Sequence, residues 1–141
     1  MRTAYETDFY AWTQDMAQAL QERRFTDLDI ENLTEEIEAL GRSERREIGS
    51  RLAIILIHML KSDFQPEKHT TSWDNSLEVQ RGDLKAVLQE NPSLAAQLSD
   101  FFPRAYRKAV IFASEETKLP RSTFPQTCPY TEAQILGDLQ D

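Results

Sequence analysis

Apolar positions along the chain recur every three or four residues, the period of helices with one buried face. The clearest run predicts one long helix from Leu28 to about Asp63. Its second half reads LAIILIHML from Leu52 to Leu60, apolar nearly all the way round, which predicts a helix in the middle of a bundle. Those nine residues are too few to span a bilayer. In the first half Ile30, Leu33, Ile37 and Leu40 make one apolar stripe, with Glu31, Glu35 and Glu38 facing outward. Asp29 is placed to cap the start. Gly41 marks either a close neighbour or a weak point, in a helix that the following Ser-Glu-Arg-Arg-Glu continues.

Around this helix the pattern places three others. A first helix is expected from about Thr7 to Glu22, with Phe9, Trp12, Met16 and Leu20 as its core face. After Asp63 the segment QPEKHTTS contains Pro66 and reads as a loop, with Thr71 or Ser72 capping a third helix. That helix carries Trp73, Leu77, Leu84 and Leu88 on one face, and Arg81 lies on the same face. Asn91-Pro92-Ser93 ends it and opens a fourth helix with the stripe Leu94, Leu98, Phe101, Ala105, Ala109 and Phe112, which Pro103 kinks or splits. Lys118 to Pro129 reads as an extended strap. Thr131 with Gln134 makes a capping box for a short last helix carrying Ile135, Leu136 and Leu139. No run alternates with period two, so no strand is expected. The expected fold is all-α: an antiparallel up-and-down bundle of four main helices with a C-terminal strap and short helix, one domain over residues 1–141.

Composition narrows the function. The 141 residues include 40% hydrophobic and 28% charged side chains, enough for one core. A formal net charge of −8 works against nucleic acid and against anionic membranes, both of which need clustered basic surface. The one cysteine, Cys128, has no partner for an internal disulfide and no basic neighbour in sequence to activate it. The opening MRTAYETDFYAW lacks a continuous apolar signal region, so the expected location is the cytoplasm.

Candidate chemistry lies on the long helix. Glu44, Arg51 and His58 recur every seven positions, beside a second row of Glu47, Ile54 and Lys61. With Arg81 from the third helix they predict a polar network between two helices. Such a network either fixes register or lines a pocket or dimer groove with a desolvated imidazole. The Arg51-to-His58 spacing is similar to the pair that helical ribonucleases of the HEPN type use without metal, although Leu52 stands where those enzymes commonly have a polar residue. The loop around Lys68, His69 and Trp73 is a second candidate for binding, against the plainer role of joining and capping helices. The binding candidates are therefore Glu44, Arg51, His58, Lys61, His69, Trp73 and Arg81. His58, His69, Glu35, Glu36, Glu44 and Asp63 form no HExxH, paired ExxH or cysteine motif, and no glycine-rich phosphate loop, GxSxG or dinucleotide fingerprint is present. No metal and no cofactor is expected.

In order along the chain stand YETDFYAW from Tyr5, LDIENLTEEIEALGRSERRE from Leu28, HMLKSDFQPEKHTTSW from His58, the Gln80-Arg81 pair, ENPSL from Glu90, AYRKA from Ala105, EET from Glu115 and FPQTCPYTEAQIL from Phe124. With these segments the chain resembles a bacterial family known as domain of unknown function family 29, over nearly its whole length. The resemblance implies a compact helical fold in a prokaryotic cytoplasmic protein and transfers no catalytic residue. The leading expectation is a non-enzymatic module that binds another protein or a second copy of itself as a homodimer. The alternatives are a metal-independent ribonuclease or other hydrolase using Arg51 and His58, and a bundle that binds a small ligand under the Lys68 to Trp73 loop.

Overall fold

The computed structural model describes residues 4–138. Every regular element among them is helical, so the class is all-α, as the periodicity predicts. In chain order these are α1 (Ala4–Thr7), α2 (Phe9–Gln21), α3 (Ile30–Phe64), α4 (Thr71–Glu90), α5 (Pro92–Ala95), α6 (Phe102–Thr117) and α7 (Glu132–Leu136). Single 3-10 turns lie at Phe25–Asp27, Pro66–Lys68, Leu98–Phe101 and Arg121–Thr123. The four main helices are α2, α3, α4 and α6. The chain forms two compact units that divide within α3, one ending at Ser43 and the other starting at Glu44.

In the first unit the helix expected from Thr7 is broken one residue later. Asp8 leaves helical geometry, and its carboxylate accepts the backbone N–H of Ala11 at 3.0 Å, the N-cap that opens α2. Trp12 and Ala19 are the buried residues of α2, whereas Phe9 and Leu20, expected in the core, are each 49% exposed. The indole accounts for the difference by taking the centre of the face. Tyr5 meets its ring edge-on at 4.7 Å, Phe9 stacks on its outer side at 5.7 Å, and its N–H donates to Asp29 at 3.3 Å. Asp29 also caps α3 as expected, accepting the backbone and side-chain amides of Asn32 at 3.4 and 2.7 Å. These donors hold its carboxyl below the usual range. The Tyr5 hydroxyl donates to Glu36 on α3.

α3 then runs unbroken through Gly41. A Cβ there would meet nothing within 4 Å, so no close neighbour explains the glycine. The apolar stripe is present but open to solvent: Ile30, Ile37 and Leu40 are 61%, 66% and 69% exposed, and Leu33 is half-buried.

The second unit holds the main core. Ile48, Leu52, Ile55, Leu56 and Leu60 from α3 are fully buried against Leu84 of α4, Leu98, and Ile135 of α7. The apolar run is less uniform than its sequence, since Ile54 stays 36% exposed. From α6 the core receives Ala105, Ala109 and Ala113, a row of three small side chains spaced four apart that lets helices approach closely, together with Tyr106. Phe112 lies off that row and is 42% exposed, not core as expected. Pro103 does split the expected fourth helix, standing in the first turn of α6 after the 3-10 turn at Leu98–Phe101.

The cap of α4 is Thr70, one residue before the expected pair, with its hydroxyl accepting from Trp73 N–H at 3.2 Å. The capping box of α7 forms as expected, Thr131 N–H donating to Gln134 Oε1 at 2.8 Å and Gln134 N–H to Thr131 Oγ1 at 3.2 Å. Leu139 lies outside the described residues.

Two substitutions separate these environments in urea denaturation. Gly41→Ala adds a methyl group in open helix and raises the unfolding free energy by about 0.5–1 kcal/mol. Leu56→Ala empties a fully buried position and lowers it by about 2–5 kcal/mol.

Candidate functional site

The polar row on α3 becomes a ladder to α4. Asn91, the residue that closes α4, donates its side-chain amide to Glu44 at 3.1 Å. One heptad on, Arg51 donates to Gln80 at 3.2 Å and to Asp83 at 3.1 Å, while its Nε holds Glu47 on its own helix at 3.0 Å. A further heptad on, His58 Nε2 lies 3.1 Å from the Ser76 hydroxyl. Lys61, in the neighbouring row, rests 4.4 Å above the Trp73 ring and pairs with Glu116 of α6 at 3.2 Å. As numbering rises on α3 it falls on α4, so the two helices run antiparallel, and each rung falls where the helical repeat returns the same face.

Glu44, Arg51 and His58 thus share a face without sharing a partner. Arg51 is only 28% exposed and lies among two carboxylates and an amide. His58 is the electrostatically distinctive member. Burial holds its imidazole below the usual pKa, the Lys61 ammonium adds to that effect, and Glu116 opposes it. Its Nδ1 is buried without a hydrogen-bond partner among the described residues.

At the loop end, His69 Nε2 meets Asp74 at 2.8 Å, and its Nδ1 lies 3.1 Å from the Ser62 hydroxyl. Its ring stands edge-on to Trp73 at 5.9 Å. Serine, imidazole and carboxylate follow one another here, a chain that the sequence reading missed because Ser62 and Asp74 carry no motif. The Asp74 side chain is 60% exposed, however, so water competes for it, and the imidazole lacks the dry, fixed setting used to activate a nucleophile. What the contacts do is pin the loop between α3 and α4.

Arg81 is placed apart from the ladder, donating to the backbone carbonyls of Ile135 and Gln134 at 2.9 Å each. Its guanidinium thereby meets two carbonyls at the C-terminal end of α7, where a cation is favoured, Gln134 O also accepting the Gly137 N–H at 3.2 Å. Gly137 follows at φ +73°, and a Cβ there would stand 3.1 Å from Arg81 Cδ.

A groove absent from the sequence reading lies between α6 and the strap, with a volume of about 1020 Å³. Phe102, Tyr106, Val110 and Phe124 are among its apolar lining, and Arg107 and Arg121 also line it. Its walls are tied together. The Tyr106 hydroxyl donates to Pro125 O at 2.6 Å, Ser114 donates to Leu119 O at 2.6 Å, and the buried Gln65 amide donates to Thr117 O at 3.0 Å. Burial pushes Tyr106 up to about 12. Cys128, half-buried in the same lining, has its thiol pushed up by burial, which disfavours the thiolate at neutral pH. The signal in sequence was local charge: residues 102–128 contain Arg104, Arg107, Lys108, Lys118 and Arg121 against Glu115 and Glu116, in a chain of net charge −8.

Among the described residues no group of three or more His, Cys, Asp or Glu converges to hold a metal ion, and no helix is long and apolar enough to cross a membrane. A family model described as Domain of unknown function DUF29 matches residues 4–139. No curated protein and no solved structure matches the chain.

His58 makes a pH prediction. Because its folded pKa lies below the ordinary 6.5, the unfolded chain binds the proton first. Its contribution is present above that value and is lost as pH falls from it through the lower folded pKa. Urea unfolding between about pH 7 and pH 5 therefore shows stability falling with acid, and His58→Gln flattens that slope.

Proposed function

The chain belongs to the DUF29 family, and we propose that it serves as a small cytoplasmic protein-interaction module whose docking face is the first half of α3. The observation that carries this reading is the change in character along one helical row. From Glu44 onward the row is covered by α4, whereas Ile30 and Ile37, earlier in the same heptad register, are 61% and 66% exposed, with Leu40 beside them at 69%. Apolar surface of this kind, presented at helical spacing, suits the face of another amphipathic helix. Full burial of one such side chain contributes about 1.5–3 kcal/mol.

Charge selects the partner. Residues 1–43 contain ten acidic and four basic side chains, and Glu31, Glu35 and Glu38 follow one edge of the apolar row. A second copy would bring the same carboxylates, so the fitting occupant is a different protein with an apolar helical face and basic flanks.

Ile37→Gln with Leu40→Gln tests the face using residues that keep helix propensity. The expected result is an unfolding free energy within about 1 kcal/mol of the parent chain. A photo-crosslinker at position 37 should then give a defined protein adduct that the same probe at the exposed Val79 does not. A stability loss above about 2 kcal/mol would show the row to be covered within the chain. A homodimer adduct, or identical adducts from both positions, would equally defeat the reading.

A further inference from the structure

We infer that the groove between α6 and the strap binds a small amphipathic carboxylate, an alkyl or aryl acid whose body lies on the aromatic lining and whose carboxylate meets Arg107 and Arg121. The groove's volume of about 1020 Å³ is that of a small-molecule site. It is preformed, because three hydrogen bonds of 2.6 to 3.0 Å fix the strap, the end of α6 and the connection between them.

Its polar atoms are unequally available. The Tyr106 hydroxyl is committed to Pro125 O, and the Cys128 thiol points to Tyr130 O at 3.7 Å. Neither Arg107 nor Arg121 forms an ion pair among the described residues, although both line the groove. Of the two acidic residues in this stretch, Glu116 is paired with Lys61. The surplus is therefore cationic. A guanidinium binds a carboxylate through two parallel N–H donors, and Ser122 and Thr127 in the lining supply further hydroxyl donors. The net charge of −8 over the whole chain disfavours a polyanion and leaves a compact acid as the ligand that matches both volume and charge.

The test is calorimetric titration of the full chain with sodium decanoate and with 1-naphthoate, below micellar concentration, and with 1-decanol as the uncharged control. The inference expects saturable binding of at least one acid, with decanol at least about tenfold weaker than decanoate if decanoate is that acid. Arg107→Gln with Arg121→Gln should weaken the acid by about tenfold or more without changing the decanol titration. Val110→Trp should weaken both by filling the groove. If that variant loses its helical circular dichroism, Ser122→Trp replaces it. Equal affinity for acid and alcohol, an unchanged arginine variant, or no saturable binding of either acid would overturn the inference. So would an acidic amphipathic peptide that binds through the same arginines more tightly than both acids, since the occupant would then be a protein segment.

Discussion

The second unit depends on the register between α3 and α4, and a ladder of polar contacts sets that register. Leucine and isoleucine packing alone is tolerant of small slides, because one aliphatic knob fills a neighbour's hole nearly as well. The rungs are not tolerant. Moving α4 by one turn would take Asn91 from Glu44, Asp83 from Arg51 and Ser76 from His58 at the same time. Each contact is modest where water reaches it, and the ladder's weight lies in selecting one alignment of an otherwise permissive apolar seam. The half-buried imidazole of His58 is the costly rung, with Nε2 satisfied and the buried Nδ1 without a partner among the described residues.

Much of the fold was legible because its signals are local. The capping box at Thr131 and Gln134, the split at Pro103 and the continuity of α3 through Gly41 each follow from a few neighbouring residues. Asp8 is also a local signal, but the apolar spacing of Phe9, Trp12 and Met16 concealed a cap inside what reads as one helix. Periodicity reports which residues share a face and not whether anything covers it. The spacing that buries Leu52 and Leu56 leaves Ile30 and Ile37 in solvent, because cover depends on where another part of the chain is placed.

The candidate site shows the same division. The heptad row of Glu44, Arg51 and His58 was visible from spacing, but its partners on α4 come from positions that carry no motif of their own. The groove was still less visible, since it is built from α6, whose end Gln65 holds, and a strap held by the bond from Tyr106 to Pro125. Only its cationic excess could be read in advance, and that excess was masked by the acidity of the whole chain.

The attachment of α7 has a consequence for how the chain can be monitored. A five-residue helix does not persist alone in water, so its order derives from what it rests against. Here that support comes from Ile135 in the core, from Arg81 on the closing carbonyls and from Lys85 paired with Asp138 at 2.7 Å. Two of these three holds belong to α4. Amide exchange in the last turn of the described chain is thus a sensor of α4, reporting from a surface-accessible segment on the integrity of a helix whose own core residues are sealed from solvent.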